Sequence, residues 1–108
     1  MSQIESKDRR TKARIYDPLR AFVRGIDSNG KSFEEVVALD NLSAAGFYMR
    51  LWRSVEVGAR LFTLLEFPAG ARVAVKGYVL RSEKQPDGRC GVAVNIQRHR
   101  ILYSSSST

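Results

Sequence analysis

Between residues 41 and 46 the chain reads Asn41-Leu42-Ser43-Ala44-Ala45-Gly46, placing an amide, a hydroxyl and a bare backbone side by side. Asn and Ser both donate and accept hydrogen bonds, and Gly permits a close approach that a Cβ would obstruct. This chemistry suits a polar ligand held near the main chain. A second cluster precedes it, with Lys7, Arg9, Arg10, Lys12 and Arg14 in quick succession. A guanidinium fork meets phosphate in a bidentate way and stacks on aromatic faces, whereas lysine brings only a point charge. Taken singly, each cluster has a plainer explanation: a solvated basic arm, and side chains bonding their own turn.

The surrounding pattern is one of short strands. Residues 1–14 have little apolar content and no periodicity, which predicts a flexible basic arm. The domain is expected over 15–103 and a disordered Ser-rich tail over 104–108. Pro18 disfavours the α region at Asp17 and marks the domain entry. Strands are predicted at 19–26, 32–42, 47–51, 60–67, 72–81 and 89–96. Asn29-Gly30 tolerates the positive φ angles of a hairpin, so the first two strands should be antiparallel neighbours. Gly77 interrupts the fifth strand, as at a bulge. Turn signals about every ten residues and the lack of helical periodicity predict an all-β fold, a six-stranded antiparallel barrel that removes exposed edges. Residues after 96 allow one helical turn or a short edge strand.

Totals narrow the function classes. One domain of 108 residues can hold a single core, and 44% hydrophobic with 27% charged residues is ordinary for a soluble globular protein. Cys90 is the sole cysteine and His99 the sole histidine, so no internal disulfide and no common metal cluster can be assembled, and a histidine-based triad is disfavoured. An enzyme is therefore not expected, and neither is a metal or resident cofactor. The N-terminal residues are too polar for a signal peptide and no apolar run is long enough to span a membrane, so a cytoplasmic location is expected. The net charge of +7 implies an anionic partner.

The order and spacing of the two clusters match a family. Arg10-Thr11-Lys12-Ala13-Arg14 is an RxxxR motif preceded by Arg9, and Asn41-x-Ser43-x-x-Gly46 follows about thirty residues later. Together they resemble the PilZ domain, the bacterial receptor module for cyclic di-GMP, whose signature is RxxxR followed by [D/N]xSxxG. The likeness covers roughly residues 8–96. It implies cyclic di-GMP binding by Arg9, Arg10 and Arg14 from the arm and Asn41, Ser43 and Gly46 from the loop, with a protein effector downstream. Two guanines and two phosphodiesters suit arginines, since guanine presents O6 and N7 as adjacent acceptors. Family members usually carry a helix after the barrel; here the remaining chain leaves room for at most a short one.

Two other functions are open at this stage. A non-specific nucleic-acid-binding barrel would use its basic arm, but Phe22, Phe47 and Tyr48 form no obvious stacking platform among cations. A degenerate PilZ protein would act by protein contacts alone. Arg81 reads as an exposed strand arginine, Trp52 as a partly buried anchor, Cys90 as a small core residue and His99 as a surface residue.

Overall fold

The computed structural model describes residues 19–39, 41–68 and 70–102. Seven strands follow in chain order: β1 Leu19–Ile26, β2 Ser32–Leu39, β3 Asn41–Leu42, β4 Gly46–Leu51, β5 Arg60–Glu66, β6 Arg72–Lys84 and β7 Cys90–Leu102. They form one sheet in the order β2-β1-β5-β6-β7-β4-β3, every pairing antiparallel. The expected all-β, barrel-like fold is observed, with one correction to its strands. Among the described residues strands number seven, because the stretch expected as one strand over 32–42 changes partner at its end: β2 pairs with β1, whereas Asn41–Leu42 pairs with β4. Of the two alternatives for the residues after 96, the extended one holds through Leu102, because the first residues of β6, from Arg72, supply register partners there. Among the described residues there is no helix, and so none long and apolar enough to cross a membrane. The arm, the start of the expected domain and the Ser-rich tail lie outside the described residues.

The change of partner explains the curl. Leu39 closes one edge strand and Asn41 opens the other, so two residues almost adjacent in the chain bring opposite edges of the sheet together. Backbone ladder bonds do not complete this seam. Instead the Glu35 carboxylate, on β2, accepts from the main-chain N–H of Trp52 at 3.0 Å and of Arg53 at 3.1 Å, just beyond β4. The Ser28 N–H donates to the Ser54 carbonyl at 2.8 Å. A carboxylate at the seam meets donors that would otherwise lack partners at a sheet edge.

Inside the curl, period-two alternation buries one face of each strand. Ala21, Val23, Phe47, Met49, Leu51, Leu61, Leu65, Val79, Val92 and Val94 belong to one core cluster. Cys90 is buried in it as expected, with its Sγ 3.0 Å from the Ser82 hydroxyl. The predicted interruption at Gly77 is a register shift between Lys76 and Gly77, where the facing strand carries Gln97 as an extra residue. A Cβ on Gly77 would lie 2.5 Å from the Asn95 carbonyl oxygen, so the strands pass too closely for a side chain.

The predicted β1–β2 hairpin is present, with Ile26 opposite Ser32 and Gly30 at φ 80°. Asp27 organises it. Its Oδ1 accepts from the N–H groups of Asn29 and Lys31, both at 2.9 Å, and its Oδ2 meets Arg53 Nη1 at 2.8 Å. The Lys31 N–H leads in holding the Asp27 carboxyl below its ordinary pKa, with Asn29 and Arg53 adding to it against the opposing effect of desolvation. A carboxyl depressed in the fold stabilises it above the unfolded pKa, and that contribution is lost as pH falls through the folded value. Asp27→Asn should therefore lower the thermal midpoint at pH 7. The gap from the parent protein should close as pH drops below about 4. Thermal scans across pH check both limbs, and a gap independent of pH would assign the effect to turn geometry instead of charge.

Candidate functional site

Asn41, Ser43 and Gly46 lie on one exposed hairpin, β3–β4, at an edge of the sheet. Asn41 stands opposite Tyr48, and its side chain is exposed. Ser43 holds the turn. Its N–H donates to the Gly46 carbonyl at 2.9 Å, while its hydroxyl accepts from the N–H of Ala45 at 3.2 Å and of Gly46 at 3.3 Å. The hydroxyl also donates to the Gly46 carbonyl at 3.3 Å. These side-chain bonds are long and exposed, so a better acceptor such as a phosphate oxygen competes readily for the O–H.

Gly46 has a different task. A Cβ there would overlap the Val94 carbonyl oxygen on β7, so the glycine allows β4 to begin pairing where it does. Its place in the motif is accounted for by packing between backbones. The Ile96 N–H donates to the Ala45 carbonyl at 2.8 Å and ties the turn to β7 from the other side.

The sheet adds residues to this hairpin that were not singled out for it in the sequence. Because Asn41 faces Tyr48, Tyr48 faces Ala93 and Ala93 faces Arg81, one row crosses four strands on the outer face. Three steps of about 4.8 Å make it about 14 Å long. Beside it the Asn95 amide donates to the Tyr78 hydroxyl at 2.9 Å, and the Arg50 guanidinium sits 5.8 Å from the Tyr48 ring centre. The Tyr48 hydroxyl accepts from Gln85 Nε2 at 2.9 Å. It also occupies the space a Cβ on Gly91 would take, so the ring is pinned across β7. The result is an outer surface on which the Tyr48 and Tyr78 rings lie either side of β7 among amides and guanidinium groups. Tyr48 and Arg50 were open to detection, since they alternate with the buried Phe47, Met49 and Leu51. Asn95 and Tyr78 were not, because only the β6–β7 register brings them together.

Arg9, Arg10 and Arg14 lie outside the described residues. Arg81 is exposed, as expected of a strand arginine, and its register puts it in the row that ends at Asn41. Trp52 departs from expectation. It is 67% exposed, with the Arg89 guanidinium 5.4 Å from its ring, because the connection after β4 turns it away from the core. His99 is exposed, and among the described residues no group of acidic, His and Cys side chains has the makings of a metal site.

No family model matches the chain, and no curated protein matches it. Solved structures do resemble it. An F420 reductase superposes with a TM-score of 0.56 at 10% identity, over 82% of this chain and 94% of that one. HupZ from Group A Streptococcus superposes with a TM-score of 0.54 at 11% identity, over 93% of this chain and 100% of its own. At such identities the likeness is one of fold. It defines the protein as a single antiparallel sheet of barrel type.

Proposed function

We propose that this chain is a binding module for cyclic di-GMP, acting as a receptor that signals to a protein effector rather than as an enzyme. The observation that carries the reading is the co-occurrence of Arg10/Arg14 and Asn41/Ser43/Gly46 in the order and spacing of the PilZ signature. The outer face beside the second motif supports it, because Tyr48, Arg50, Asn95 and Arg81 supply an aromatic ring, a hydrogen-bonding amide and positive charge.

In this reading the Asn41 amide meets the polar edge of a guanine and the Ser43 hydroxyl donates to a phosphate oxygen. Arg9, Arg10 and Arg14 approach from the arm, where their forks match guanine O6 and N7 or the phosphodiesters. Ligand binding then orders residues 7–14 against the hairpin. That change carries a signal only insofar as the effector distinguishes the two states. Asn at position 41 lacks the carboxylate that would receive the guanine N1 and N2 protons, which points to a moderate affinity.

Isothermal calorimetry with cyclic di-GMP on the full chain tests this. Saturable heat at micromolar protein is expected, weakened roughly tenfold in Asn41→Ala, the effect of a lost hydrogen bond to a charged or polar partner. Absence of heat from the intact chain overturns the assignment.

A further inference from the structure

A second region of the sheet's outer face, away from the β3–β4 hairpin, has a composition that the cyclic di-GMP reading does not use. On β1 the inward residues are Ala21 and Val23, which turns Arg20, Phe22 and Arg24 outward; on β5 Leu61, Thr63 and Leu65 are inward, which turns Phe62 outward. The register then builds two rows across five strands. One runs Val36, Phe22, Leu64, Ala74 and Arg100; the next runs Glu34, Arg24, Phe62, Lys76 and Arg98. Residues of both rows line an open hollow of about 1000 Å³. Phe22 and Phe62 are 36% and 41% exposed, high values for large apolar rings in mid-strand. Each has cations close by: Arg20 is 5.6 Å from the Phe22 ring centre, and Arg24 and Lys76 are each 5.8 Å from that of Phe62.

Charge on this face is one-sided. Counting the neighbouring row of Arg20, Glu66 and Arg72, six cations face two carboxylates. None of the six makes an ion pair within 4 Å among the described residues; Glu34 stands opposite Arg24 and Glu66 between Arg20 and Arg72, while Lys76, Arg98 and Arg100 have no carboxylate opposite them. Rings interleaved with an excess of cations along a sheet suit a flexible polyanion with stackable faces. A duplex hides its base faces, which leaves the two rings without a stacking partner.

We propose that the outer face of β1, β5, β6 and β7 binds single-stranded nucleic acid, with bases stacked on Phe22 and Phe62 and phosphates on the flanking Arg and Lys side chains. This goes beyond the cyclic di-GMP reading and does not depend on it. It also places the contact on the sheet and not on the basic arm.

Fluorescence anisotropy with a labelled oligothymidine of about 12 nucleotides, within the length range of small-barrel binding sites, tests the proposal on the full chain. Binding is expected at low salt and should fall as salt rises. Phe22→Ala and Phe62→Ala should each weaken it about tenfold or more, the loss of one stacked base. Lys76→Gln should flatten the salt dependence by about one unit of slope. Asn41→Ala should leave oligonucleotide binding unchanged, and Phe62→Ala should leave any cyclic di-GMP heat unchanged, so the two readings fail separately. Unchanged thermal midpoints in the Phe variants verify folding. Should either variant unfold, the exposed charge reversal Arg98→Glu replaces it, with at least a tenfold loss expected. No anisotropy change, undiminished binding by the Phe22→Ala/Phe62→Ala double variant, or Phe-dependent binding to phosphatidylserine vesicles without oligonucleotide binding would each overturn it.

Discussion

Gly46→Ala is expected to destabilise the fold by about 3 kcal/mol, at the upper end of ordinary single-residue effects. The added methyl overlaps the Val94 carbonyl oxygen, which is backbone and cannot rotate away as a side-chain end would. Nor can Val94 retreat, since it is held between β4 and β6 with Phe47 on one side and Val79 on the other. Relief must come from β4 lifting off β7 at its first residues, which also breaks the Ile96 N–H bond to Ala45. Gly30→Ala gives the contrast. Gly30 has a positive φ but open space around it, so its substitution should cost only about 1 kcal/mol, the strain of a Cβ in that conformation. Urea titrations with unchanged slope measure both costs. If Gly46→Ala lies within about 0.5 kcal/mol of the parent, as surface changes do, the backbone-contact account is wrong. The result bears on function too: loss of ligand binding in Gly46→Ala would report a displaced hairpin and would not identify a ligand contact.

If the chain binds cyclic di-GMP as proposed, Arg14→Ala is expected to raise the dissociation constant about thirtyfold, or about 2 kcal/mol, the scale of one charged hydrogen-bonded partner. The informative companion is Arg14→Lys. Lysine keeps the charge but loses the planar fork, so it should recover little of the affinity if the arginine spans two guanine acceptors or stacks on the base. Calorimetry on the three proteins at one salt concentration distinguishes the cases. Full recovery with lysine would reduce the arm to a diffuse positive charge and remove its role in reading the base. This expectation rests on the motif and its chemistry.

Sequence alone determined those features that depend on neighbours in the chain. The run Phe47 to Leu51 specified a strand, and because a pleated backbone sends successive side chains to opposite sides it buries Phe47, Met49 and Leu51 and turns Tyr48 and Arg50 outward. Asn29-Gly30 specified a hairpin, and Gly77 an irregularity, since both depend on local backbone conformation and close passage. The same local reading fails where a residue's role depends on a partner far along the chain. It merged Ser32–Leu42 into one strand, because nothing in those residues announces that the chain steps from one sheet edge to the other. By size alone Trp52 read as an anchor, yet the turn after β4 leaves it outside with Arg89 over its ring.

Both candidate surfaces divide in the same way. Asn41, Ser43 and Gly46 were recognisable as a motif because they are close in sequence, though only the sheet separated their tasks into an exposed amide, a turn-holding hydroxyl and a gap for Val94. The rest of that face, Arg81 through Ala93 and Tyr48 to Asn41, exists only as a register. Phe22, read with Phe47 and Tyr48, made no obvious stacking platform until β1 paired with β5 and put Phe62 diagonally beside it, with Arg24 and Lys76 flanking the second ring. Strand order arises from the closure of long loops around a shared core. It is a property of the whole chain's packing, and tertiary structure decided it.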